Sequence, residues 1–267
     1  MIKVGVYASY FGKEKPKAFP DVESFIDLAY ELRLDAIDFR ANVGFNSRDP
    51  DYLLGIKLKC LKAGLPIGYL ASGGHFVGTE EELRAKVEQA KLDVEMAAFL
   101  GAPMIRLFCG APEEDGGESE IECFREVCDY AADAGIMVGL QNHPCTGDDI
   151  LRILRDVRRE NFTFILDTGQ WVGSPGRNRG VGDPNFDIYR YMEQTAPYAS
   201  YVRAKIYKID SGEEEWLDYS RIVKILKSVD FNGVMSITFE GQDINRCSDR
   251  ETFRLAARHL RESIVEK

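Results

Sequence analysis

The sequence predicts an eight-stranded (β/α)8 barrel, the TIM-barrel fold class, and three observations carry that prediction. Short β-rich apolar runs alternate with amphipathic helical stretches along the 267 residues, eight such units can be counted, and no glycine-rich phosphate loop follows the first strand. Alternation of this kind calls for parallel strands joined by helices. A doubly wound open sheet alternates in the same way, but eight near-evenly spaced units closing on a C-terminal helix are what a barrel needs. Such a barrel takes roughly 250 residues, so residues 1–267 are read as one domain.

Strands are expected at residues 3–8, 36–40, 66–70, 104–109, 137–141, 162–167, 201–206 and 234–240. Several are apolar on both faces, as a parallel strand covered by helices must be. Helix starts are marked by capping boxes at Thr79 with Glu82 and at Ser248 with Glu251, where side chains satisfy otherwise orphaned amides. Between them, residues 79–100 place Leu83, Val87, Ala90, Val94, Ala97 and Leu100 at helical spacing, and Gly101 supplies the stop. Two glycine-containing segments, 110–118 and 173–183, follow strands and would lie over the mouth of the barrel, as substrate lids or as ordinary loops.

Composition narrows the function classes. Hydrophobic residues make up 45% of the chain and charged residues 29%, which suits a packed core rather than disorder. A net charge of −10 argues against nucleic acid as a partner. The start MIKVGVYASY has no basic segment leading into a long apolar stretch, and no run of 18 apolar residues occurs, so no membrane partner and a cytoplasmic location are expected. Cys60, Cys109, Cys123, Cys128, Cys145 and Cys247 form no CxxC pair and are read as reduced thiols.

Polar residues gather where the strands end: Asp38 and Arg40, Arg106, Gln141 with Asn142 and His143, Asp167, Arg203 with Lys205, and Glu240, with His75 just past the third strand. An unpaired charge inside an apolar strand is costly, so a carboxylate closing one has a cation or hydrogen-bond partner. Each could singly cap a helix or pair with a nearby arginine. Their convergence on one barrel mouth points instead to a site. Trp171 and Tyr7 could stack on a sugar ring or pack in the core, His259 on the last helix is read as structural, and Cys145 shows no sign of an activated thiolate.

Four of these segments, GLQNHP, LDTGQW, VRAKIY and VDFNGVMSITFEG, resemble in order the strand-end motifs of the xylose-isomerase-like barrels, which include sugar phosphate isomerases, ketose 3-epimerases, hydroxypyruvate isomerases and inosose dehydratases. The resemblance implies a divalent metal held by Glu, Asp, His and Glu on the fifth to eighth strands, with the two glutamates acting as acid and base. Asp167 and Glu240 keep that pattern, whereas Gln141 and Arg203 depart from it. A glutamine cannot exchange a proton as a carboxylate does, and a guanidinium has no lone pair for a metal. Asp167, Glu240 and Arg203 together carry the same −1 as three carboxylates with a divalent ion, so the arginine is read as replacing the ion. No resident cofactor is therefore expected, or at most a weakly held Mn, Mg or Zn ion on Asp167, Glu240 and Gln141.

The reading that follows is an isomerase or epimerase working by proton transfer next to a carbonyl on a small carbohydrate-like molecule, with a related lyase as a further option. Glu240, Lys205 and Gln141 are the catalytic candidates, and Asp38, His75, Arg106, His143, Asp167, Gln170, Trp171 and Arg203 the substrate-binding ones. A non-catalytic carbohydrate-binding relative is the alternative. Homodimerisation is expected only by analogy with such barrels.

Overall fold

The computed structural model describes residues 1–8, 18–109 and 117–265. Most of the segment 110–118 therefore lies outside the described residues. Strands β1 (Lys3–Tyr7), β2 (Ala36–Arg40), β3 (Ile67–Ala71), β4 (Met104–Phe108), β5 (Met137–Gln141), β6 (Phe162–Asp167), β7 (Ala199–Ile206) and β8 (Val234–Phe239) form a closed barrel in chain order, every pair parallel. Helices α1 (Val22–Glu31), α2 (Pro50–Ala63), α3 (Glu80–Leu100), α4 (Glu118–Asp133), α5 (Gly147–Val157), α6 (Ile188–Thr195), α7 (Tyr219–Ser228) and α8 (Asp249–Val265) surround it. Every expected strand is present within two residues at each end.

Local chemistry explains the boundaries. Thr79 accepts from the Glu82 amide and Glu82 returns a bond to the Thr79 amide at 2.8 Å, so α3 opens on a full capping box, and Gly101 closes it at φ 84°, a conformation open to glycine. The box expected at Ser248 is different: the Glu251 amide donates to the Ser248 hydroxyl at 3.3 Å, but the Glu251 carboxylate is drawn to Arg254 at 2.6 Å. The segment 173–183 holds a 3₁₀ turn at Pro175–Asn178 and a bond from the Asp183 amide to the Gly173 carbonyl at 3.0 Å. No helix among the described residues is long and apolar enough to cross a membrane.

Strand alternation sorts the side chains into two layers. Val202, Ala204 and Ile206 of β7 face the helices, with Ile37 and Phe39 of β2 and Ile105 and Leu107 of β4, and build the large core. Tyr7, Tyr69, Ala71, Met104, Ile165 and Tyr201 point into the barrel and form a small inner cluster. A register shift between β2 and β3 follows Ile37, and a Cβ at Gly68 there would overlap the Tyr201 hydroxyl and the Asp38 carboxylate, so glycine is what allows this close approach. Above the inner cluster, at the carboxyl ends of the strands, the interior turns polar.

Candidate active site

A cavity of about 260 Å³ opens at this mouth. Its walls come from Tyr7 and Arg40 on β1 and β2, Ser72 after β3, Arg106 and Phe108 on β4, Gln141 and His143 at the end of β5, Gln170 after β6, Arg203 and Lys205 on β7, and Glu240 after β8. Seven of the sequence-derived candidates thus share one wall: Glu240, Lys205, Gln141, Arg106, His143, Gln170 and Arg203.

Asp167 lies directly beneath this wall with no exposed surface. Its Oδ2 accepts from Gln141 Nε2 at 3.1 Å and from Arg203 Nε at 3.0 Å, with Lys205 Nζ at 3.4 Å, and its Oδ1 accepts from the Gly169 amide at 3.0 Å. Asn142 fastens the ends of β5 and β6 together, donating to the Asp167 carbonyl at 2.9 Å and accepting from the Asp167 amide at 2.8 Å. Gly169 is required by packing, because a Cβ there would overlap the Lys205 stem and the Tyr207 hydroxyl. Asp167 is thus an anchor that orients three wall residues, not a ligand contact as expected.

Lys205 is almost wholly buried and its ammonium lies against both Asp167 and the Glu240 carboxylate, whose side chain is 41% exposed at the mouth. Gln170 donates to the other Glu240 oxygen at 3.3 Å. Arg203 donates to the Tyr69 hydroxyl as well as to Asp167, and its guanidinium sits 4.1 Å from the centre of the Tyr7 ring, a cation–π contact. Burial works against its charge, yet Tyr69, Tyr7 and Asp167 hold it firmly protonated. Against the upward push of burial, Arg106 and Arg203 draw the Tyr7 phenol below its ordinary value. Burial lowers His143, partly offset by Asp167, so its imidazole is neutral at physiological pH.

Three candidates are placed elsewhere. Trp171 has no exposed surface and packs between Phe164 and Tyr191, with ring centroids 6.2 and 5.8 Å away, so it belongs to the core behind β6 and offers no platform for a sugar. Asp38 is equally buried, deeper in the barrel, where it accepts from the Tyr201 hydroxyl at 2.7 Å, the Tyr69 amide at 3.2 Å and the Ser236 hydroxyl. His75 is half-buried beside the cavity, stacked on Phe108 at 5.3 Å. His259 meets Tyr219 edge-on inside the helical layer, a structural position. Cys145 is sealed against Cys109 at 3.0 Å, and burial pushes its thiol well above its ordinary value, which removes it as a nucleophile.

Sequence reading missed Tyr69, Tyr201, Ser236 and Phe108, whose only sequence signal is the inward phase of their strands, and Ser72, which follows β3 and donates to Asp93 of α3 at 2.6 Å. Asp167, Glu240 and Arg203 sum to −1 as read from the sequence, but Arg40, Arg106 and Lys205 share the same mouth, so the charged side chains of the described site sum to +2.

Comparison with known proteins agrees with this architecture. Among similar solved structures, D-psicose 3-epimerase from Clostridium cellulolyticum H10 superposes with a TM-score of 0.76 at 15% identity, covering 98% of both chains. A xylose isomerase domain protein from Planctomyces limnophilus gives 0.72 at 15% identity, over 98% of this chain and 96% of the other. The 3-keto-D-glucoside 4-epimerase of E. coli gives 0.72 at 16%, over 98% and 100%. At such identities the likeness is one of fold. No curated protein sequence matches the chain significantly. Residues 26–263, however, match the family model described as xylose isomerase-like TIM barrel, and the chain belongs to that family.

Proposed function

We propose that this barrel catalyses isomerisation of a small carbohydrate-like carbonyl compound by proton transfer, using its own side chains in place of a resident metal ion. The observation that carries the reading is the Glu240–Lys205 pair: a carboxylate open to the cavity, touching a buried ammonium. Glu240 takes the proton from the carbon beside the carbonyl, the electron pair moves onto the carbonyl oxygen, and Lys205 stabilises the charge that develops there. With a hydroxyl on that carbon, the hydroxyl proton passes to the former carbonyl oxygen and the carbon-bound proton returns to the former carbonyl carbon on the same face, which completes the isomerisation with one base acting on carbon. Inversion at a single carbon needs a second proton donor on the opposite face, and Gln141 is no such donor. The neighbouring structures named as epimerases support a sugar-type substrate by analogy of fold.

The divalent ion that the family resemblance implies does not suit this donor set. Both oxygens of Asp167 already accept from nitrogen donors, Arg203 stands where a neutral histidine would ligate, and Glu240 is engaged by Lys205. No step is therefore drawn through a metal.

Incubating the protein with ketoses, inososes and hydroxypyruvate in deuterated buffer, with a chelator or with manganese, tests the reading by NMR. Deuterium uptake and product are expected in chelator, and Glu240→Gln is expected to slow both by roughly 10²–10⁴-fold. Turnover only with manganese would overturn the metal-free site, and full activity of E240Q the assignment of the base. Silence across the panel would favour the carbohydrate-binding relative.

A further inference from the structure

We propose that the molecule bound here carries an oxyanionic group, a carboxylate or a phosphate ester, and that Arg106 is its receptor. This deepens the function proposed above and shares its cavity, but rests on different atoms. Arg106 is only 5% exposed, projecting from β4 into the barrel mouth. Its bonds account for one end of the guanidinium alone: Nη2 donates to the Tyr7 hydroxyl at 3.3 Å, while Nε is buried with no hydrogen-bond partner. The Phe108 ring lies 5.1 Å from its Cζ. Among the described residues it makes no ion pair.

Arg203 shows what a satisfied guanidinium looks like in the same barrel, since Asp167 neutralises it at 3.0 Å. A buried cation left without an anion is strongly disfavoured. Burial and the repulsion from Arg203 both bear on Arg106 in this way, lowering it from its ordinary value while leaving it charged. Among the described residues the cavity therefore holds an excess of two positive charges in a protein whose net charge is −10, and a ligand anion is the counter-charge that this arrangement calls for. The fork of a guanidinium matches a carboxylate or phosphate edge through two parallel bonds. Gln141 adds a second requirement, because it lines the same cavity and its Oε1 is buried without a donor. A hydroxyl group on the ligand would satisfy it. At about 260 Å³ the cavity suits a compact polyhydroxy acid or a short sugar phosphate rather than an oligosaccharide.

Binding separates this assignment from catalysis. Inorganic phosphate, acetate and, as a neutral control, fructose are added to the full chain at constant ionic strength set with chloride, and affinity is read by calorimetry and by the thermal midpoint. Phosphate or acetate is expected to bind and raise the midpoint, phosphate alone marking an ester and acetate alone a carboxylate. Arg106→Met is expected to weaken binding at least about tenfold while leaving the apo protein as stable or more stable, since it removes an uncompensated buried charge. Arg106→Lys, which keeps charge without the fork, should fall between. Glu240→Gln, which removes a carboxylate from the same cavity, should bind the anion at least as tightly as the wild type, so absence of turnover across the carbonyl panel would leave this assignment standing. Equal anion affinity in wild type and R106M would overturn it, as would an apo R106M destabilised in the way a broken ion pair is, or no effect of either anion beyond chloride.

Discussion

Asp167→Ala is expected to cost about 3–5 kcal/mol of unfolding free energy, the range for breaking a buried ion pair from one side. The reason is what it leaves behind rather than what it removes. Arg203 is 3% exposed and Lys205 1%, and Asp167 is the carboxylate common to both. Without it Arg203 keeps the hydroxyl and ring of Tyr69 and the face of Tyr7 but no carboxylate hydrogen bond among the described residues, the Gly169 amide loses its acceptor, and Gln141 Nε2 is left with the Asn142 carbonyl at 3.5 Å. Chemical denaturation checks this through a lowered midpoint at unchanged slope. Asp167→Asn should lose somewhat less, since the amide keeps one acceptor oxygen. Combining Asp167→Leu with Arg203→Met should recover much of the loss, because apolar groups of similar size are a tolerable replacement for a whole buried pair. A cost under about 1 kcal/mol for D167A, the value of a solvated pair, would mean that water reaches the network and that Asp167 does not hold the wall together.

The second large effect is a pH dependence seated at Asp38. Burial raises its carboxyl from 3.8 to about 7, against the opposing hydrogen bonds from Ser236, Tyr201 and the Tyr69 amide. Because the folded value lies above the unfolded one, the folded chain binds the extra proton between about pH 4 and 7. The contribution is therefore fully present below about pH 4 and is lost as pH rises through about 7, and a displacement of this size corresponds to about 4 kcal/mol. The expected measurement is a stability profile in which wild type falls from about pH 4 to about pH 7 relative to Asp38→Asn, whose neutral amide does not titrate. Parallel profiles for the two proteins would show that Asp38 is ionised throughout. Hydroxyl rotors at Tyr201 and Ser236 can reverse their bonds to suit the protonated acid or the amide, which is why the substitution is tolerable.

The barrel was legible in the chain because each of its units announces itself locally. Residues 201–206 show the pattern: Val202, Ala204 and Ile206 must be apolar to meet the helices, which frees Tyr201, Arg203 and Lys205 to be polar only if they point into the barrel, the last two reaching its mouth. Convergence of strand ends then follows from closure, and it brought Gln141, Arg106, Arg203, Lys205 and Glu240 together as expected. Asp38 failed the same reasoning because a residue near a strand end can sit a layer too deep, and depth along the barrel axis depends on stagger between strands that pair far apart in sequence, whereas Trp171 failed because it turns outward against Phe164 and Tyr191 in the helical layer. The register shift after Ile37 is one such case. Ser248 with Glu251 failed for a smaller reason, competition from Arg254 for the same carboxylate.

Periodicity and strand-end chemistry alone determined that this protein is a parallel barrel with an ionic mouth, since both are properties of short stretches that hold whatever the rest of the chain does. Which carboxylate is buried as an anchor and which is open as a base, and which arginine is neutralised and which is not, became definite only in three dimensions. Asp167 and Glu240 look alike at the ends of β6 and β8, yet the first is enclosed by donors from β5 and β7 and the second faces solvent. Charge is felt through space, so the electrostatic character of the site belongs to the assembled ring and not to any one of its strands.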